Sequence, residues 1–121
     1  MAILTEGTRK AEFIVSEAND YRSRDAVTVT VASGGFEAGT ILGKITATGK
    51  FVRHDAALTN GAEAEAAILF APLTEAGDTE ATVIARDAEV DGSKLTYEDG
   101  ADATQITTSN AALAALGIIV R

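Results

Sequence analysis

Across Ala26–Val90 the apolar side chains come in short β-patterned runs separated by turn signals, and that spacing constrains the fold more than any other feature. Val27, Val29 and Val31 alternate with Thr28 and Thr30, the period of a half-buried strand, which Ser33-Gly34-Gly35 ends. Thr40–Ala47 and Lys50–His54 are predicted to form a hairpin about Thr48-Gly49, with Gly43 marking a bulge or a close backbone approach. Asn60-Gly61 reads as a further turn, and Ala64–Ala71 as a buried strand closed by the single proline, Pro72. Thr82–Val90 reads as a strand, Asp91-Gly92 as a tight turn and Ser93–Tyr97 as the returning strand. Only Ala111–Leu116 reads as helix. Its start is placed within Asp102–Asn110, with Ser109 or Asn110 as cap and Gly117 at its end. Ile118-Ile119-Val120 follows as a strand or buried tail.

Hydrophobic residues make up 46% of the chain but aromatics only 5%, with no tryptophan, so Ala, Val, Ile and Leu must supply the core. One domain accommodates 121 residues, and a core of small aliphatics gains from association with further copies. The absence of cysteine excludes disulfides, thiolate metal sites and thiol catalysis, and fits a chain made in a reducing cytoplasm. The net charge of −8 is uneven: residues 55–121 hold three Lys/Arg against twelve Asp/Glu. That half cannot neutralise phosphates, so nucleic acid is excluded as its partner, and the acids read as a solvated surface. Charged residues interrupt any apolar leader, and the apolar stretches Ala66–Leu73 and Ala111–Val120 are too short to span a bilayer. The expectation is a soluble protein without a targeting segment.

Residues 1–25 differ from the rest. Phe13-Ile14-Val15 is their one β-prone island, set between polar stretches. This predicts an extended N-terminal arm over 1–25 and a core domain over 26–121, the arm ordering when it adds a strand to a partner. The competing reading makes Phe13–Val15 an edge strand of its own domain. Arg22 and Arg24, flanked by Asp20 and Asp25, are too few for a phosphate site and read as a protein contact or a solvated linker.

No constellation of catalytic or ligand-binding residues emerges. Leu42-Gly43-Lys44 lacks the rest of a phosphate loop, because Ala38 stands where the first glycine is needed and Ile45 where Ser or Thr is needed. Asp87 to Glu98 approaches calcium-loop spacing, yet Lys94 occupies an apolar position and the flanks alternate like strands. An Asp-Gly hairpin turn accounts for it better. His54 is the only histidine and reads as a surface residue at a hairpin end, pointing away from its neighbour Asp55. Neither an enzyme nor a metal or other cofactor is implied. A small-ligand or glycan-binding β module is the alternative class, and the lack of tryptophan counts against it.

The ordered series AGTILGKITATGKFV, AEAAILFAPL, ATVIARDAEV and ALAALGIIVR, preceded by TEGTRKAEFIVSEANDYRSRDAVTV, resembles the bacteriophage head decoration family of lambda-like phages over Thr5–Arg121. The resemblance implies a mainly β fold: a partly open small barrel of bent hairpins (β-clip-like) with one short C-terminal helix. It implies a structural cement, a homotrimer on the outer surface of the expanded capsid of the virion. There the arm residues Phe13, Ile14, Val15, Arg22 and Arg24 are expected to meet the major capsid protein.

Overall fold

The computed structural model describes residues 9–19 and 22–121. The order of elements is β1 (Ile14–Glu17), β2 (Arg24–Val31), β3 (Ile41–Lys44), β4 (Phe51–Arg53), β5 (Ala67–Leu69), β6 (Gly77–Ile84), β7 (Ala88–Val90), α1 (Ala103–Ala115) and β8 (Ile118–Val120). Five strands close a barrel in the order β2-β4-β3-β5-β6, and the other three form a sheet in the order β1-β7-β8. The mainly β fold with a small barrel and a C-terminal helix is therefore as expected from the chain.

The hairpin about Thr48-Gly49 forms as read, pairing Leu42 with Arg53 and Lys44 with Phe51. Gly43 marks a close approach: a Cβ there would lie 2.4 Å from the carbonyl oxygen of Ala62 and 2.6 Å from its Cα. Val29 and Val31 turn into the barrel with Leu42, Leu69 and Val83, as the Val-Thr alternation requires. The barrel closes fully rather than remaining partly open. Closure runs through the antiparallel β2–β6 ladder and a parallel contact of Val29 with Phe51, a pairing between strands far apart in sequence.

A second core lies between the barrel wall and the β1-β7-β8 layer, where Phe13, Ile68, Ile84, Val90, Leu113 and Ile118 meet. Adjacent residues of the wall serve opposite cores: Ile68 faces this layer while Ala67 and Leu69 face the barrel interior. Burial on both sides explains the unbroken apolar run Ala66–Phe70, which an alternating strand would not need.

Four readings are corrected here. Residues 11–17 are not a detached arm: Phe13 is fully buried and β1 pairs with β7. A large aromatic in a chain short of them gains more by completing its own core than by waiting for a partner. Thr82–Val90 is not one strand, because Asp87 at φ 52° breaks it and sends β7 into the other sheet. Ser93–Tyr97 is no returning strand. The Asp91 carboxylate caps a 3-10 turn over Gly92–Lys94, and only Thr96 bridges to Thr40. The helix starts at Ala103, inside the range read for it, but its cap is Asp102, in a reciprocal capping box with Gln105. Ser109 and Asn110, read as caps, lie inside it. Residues 1–8, part of the arm expectation, lie outside the described residues, as do Asp20 and Tyr21.

Candidate functional site

The five residues singled out in the N-terminal segment divide between support and display. Ala11, at φ 60°, kinks the chain ahead of β1 and donates its N–H to the Phe70 carbonyl at 2.9 Å. The kink delivers Phe13 into the second core, where its carbonyl accepts from Asp91 N–H at 2.7 Å. Ile14 packs against the same core opposite Val90. Between Ile14 and Ser16 the register shifts, and Val15 at this bulge is 56% exposed. Across the sheet Ser16 pairs with Glu89 and Glu89 with Ile119, which is also exposed. Val15 and Ile119 are the exposed large hydrophobics among the described residues, and both lie on the layer's outer side.

Arg24 faces inward instead. Its guanidinium lies 4.3 Å from the Phe70 ring centroid and donates from Nε to Glu17 Oε2 at 3.1 Å. The Ser23 hydroxyl donates to the same oxygen at 2.6 Å. The hydrogen bond from Arg24 holds the Glu17 carboxyl below the usual glutamate range, overcoming the opposing effect of burial. This cluster clamps the end of β1 to the start of β2. Arg22 is largely exposed and lies 3.8 Å from Asp87, beside the same end of the layer. Val15 and Arg22 are thus presented to solvent, while Phe13, Ile14 and Arg24 hold the strand from behind.

One polar cluster escapes a reading by sequence. His54 is 2% exposed rather than a surface residue, because the loop after β4 and helix α1 close over it. Its Nε2 faces two oxygen acceptors, Glu63 O at 3.0 Å and Glu65 Oε1 at 3.1 Å, and so carries the ring hydrogen. Nδ1 is buried without a hydrogen-bond partner. The Ser109 hydroxyl donates to Glu65 Oε1 at 2.6 Å, tying α1 to this loop. Buried Glu98 accepts from Ala56 N–H at 2.8 Å on the other side of a cavity of about 140 Å³. The residue types suggest a catalytic triad, but the order does not. Serine and histidine both contact the carboxylate rather than each other, so the imidazole is not placed to take the serine proton as in a triad. The arrangement is a latch. Of the two nearby acids only Glu65 gives its carboxylate to the latch; Glu63 gives its main-chain carbonyl and turns its side chain to Gly61 N–H.

The other motifs scatter. Asp91 is committed to Ser93, Asp87 lies near Arg22, and Glu98 turns toward Ala56, so the calcium-loop residues do not converge. No group of three His, Asp or Glu suited to a metal occurs among the described residues. An open apolar groove of about 340 Å³, lined by Phe36, Val52, Arg53 and Leu58 among others, lies beside the barrel.

The family model for bacteriophage lambda head decoration protein D matches residues 3–118. The chain belongs to that family. No curated protein matches it. Membership gives the chain a structural role in decorating the phage capsid and places it in the virion. Strands β1 and β7 and the exposed Val15 lie within the matched span, which ends at Ile118, the first residue of β8.

Proposed function

We propose that the protein is a cement for the phage head, binding the outer surface of the expanded capsid as a homotrimer and stabilising it against internal pressure. The observation that carries this reading furthest is the state of β1. Among the described residues it is an edge strand with one neighbour, β7, and it presents Val15 at its bulge. A strand of the major capsid protein adds along that edge. Main-chain hydrogen bonds give affinity there, and Val15 gives register. Arg22 flanks the contact, while Phe13, Ile14 and Arg24 act as positioning residues that fix the strand's height and angle. Three such edges per trimer bind with avidity, since the second and third dock at high effective concentration.

Co-sedimentation with empty expanded heads tests this. The unaltered protein should pellet at saturating, three-fold-related occupancy. Val15→Asp should keep its melting temperature yet lose more than about tenfold in head affinity, which is more than roughly 1.4 kcal/mol in binding free energy. Unaltered protein left in the supernatant, or a Val15→Asp variant that binds fully, would overturn the proposal. Light scattering of the free protein reports separately on the trimer.

A further inference from the structure

We propose that Asn60 is a self-modifying residue, converted with time through a cyclic imide to aspartate and isoaspartate by groups of its own turn. Asn60 is exposed in the loop between β4 and β5. Its side-chain oxygen Oδ1 accepts from Ala62 N–H at 3.1 Å, which folds the side-chain amide back over the Gly61 peptide. Gly61 N–H donates to Glu63 Oε1 at 2.7 Å. These two contacts put a proton acceptor on the nucleophile and a proton donor on the electrophile.

The chemistry balances with water alone. The Glu63 carboxylate takes the proton from Gly61 N as that nitrogen bonds to Asn60 Cγ. The negative charge that develops on Oδ1 is met by Ala62 N–H. Collapse expels Nδ2, which leaves as ammonia with the returned proton, and a cyclic imide remains. Water opens the imide at either carbonyl, giving aspartate or isoaspartate and an added negative charge. Glycine at 61 leaves the attacking nitrogen without a side chain to shield it, and holding the reacting groups in one turn removes most of the orientational cost.

The products do not fit equally. A Cβ on Gly61 would lie 2.3 Å from Thr46 Oγ1 and 2.6 Å from Lys44 O, so Gly61 is packed tightly against the hairpin. Isoaspartate, which lengthens the main chain between Asn60 Cα and the Gly61 nitrogen, must shift that packing. Thr46 N–H donates to Asn60 O at 2.9 Å, and the backbone of Ala62 abuts Gly43. Isoaspartate therefore pries the loop from the hairpin, whereas aspartate leaves it in place.

Peptide mapping of the full-length protein after prolonged incubation in warm neutral buffer tests the proposal. Trypsin releases His54–Arg86, in which Asn60 is the only amide side chain, so a deamidation mass gain on this peptide reports Asn60 alone. Isoaspartate is counted by enzymatic methylation. The folded protein should convert at least about tenfold faster than Glu63→Gln, which keeps an oxygen to accept from Gly61 but is not a base. It should also convert faster than the same protein unfolded in urea. Equal rates in the folded protein and Glu63→Gln, or a folded rate below the urea rate, would overturn the assignment. Glu63→Asp, with a shorter carboxylate, gives an independent reading should the glutamine variant lose its fold.

Discussion

In the barrel, β2 and β6 pair through eight consecutive positions and β3 and β4 are joined by one short turn. In the neighbouring layer, β1 comes from near the start of the chain and β8 from its end, and each meets the three-residue β7 at three positions. The strands of the first region show themselves in local alternation and one short turn, although its longest ladder joins residues far apart in sequence. The second exists because Phe13, Leu113 and Ile118 need one another's apolar surface. The barrel is thus a scaffold that largely assembles itself. The layer is held by a few large side chains and, among the described residues, presents the edge of β1 and the exposed Val15 and Ile119 to a partner.

Truncating the anchor of the layer gives the largest effect. Phe13→Ala should cost about 3–5 kcal/mol in urea unfolding, while Val15→Ala two residues away stays within about 0.5 kcal/mol. Similar values for both would erase the distinction between support and display. On the barrel side, Gly43→Ala forces backbone against the backbone of Ala62 and should cost about 1–3 kcal/mol by the same measurement. A neutral result would mean that the hairpin is looser than the closed barrel implies. His54→Ala strips the Glu65 carboxylate of a buried partner and should cost about 1–3 kcal/mol. Destabilisation without loss of head binding would show the latch to be structural.

The smallest effect concerns the clamp between the two regions. The Glu17 carboxyl is held below the ordinary glutamate range by Arg24, so ionised Glu17 favours the folded state. That contribution is complete above the ordinary range and is lost as the pH falls through the depressed folded value. Glu17→Gln should therefore flatten the acid limb of a melting-temperature profile and leave its shape above that limb unchanged. An identical acid limb in both proteins would show that the clamp contributes nothing.

The same contrast explains what a reader of the sequence finds. Val27-Thr28-Val29-Thr30-Val31 and the turn at Thr48-Gly49 display their structure in local pattern, and Gly43 announces its close contact by interrupting a strand. Thr82–Val90 has the pattern of one strand and forms two, because the break at Asp87 depends on which sheet each half joins. The helix start was hidden by Thr104, Thr107 and Thr108, whose weak propensity is outweighed by the Asp102–Gln105 capping box. At the site, Phe13-Ile14-Val15 was visible as a strand, but its side chains split between core and solvent according to contacts with Phe70, Val90 and Asp91 far along the chain. The burial of His54 is equally beyond local pattern, since residues 44–55 positions away complete the cover that its own loop begins.

Hydrogen exchange over residues 13–17, read in the free protein and again on expanded heads, tests the central claim most directly. A strand built into the core on one side and open on the other should exchange slowly in the free protein at the amides bonded to β7. It should exchange faster at those on the open edge, which become protected only on the head. Exchange at the rate of an unstructured peptide throughout the segment in the free protein, or open-edge amides unchanged by the head, would contradict the account.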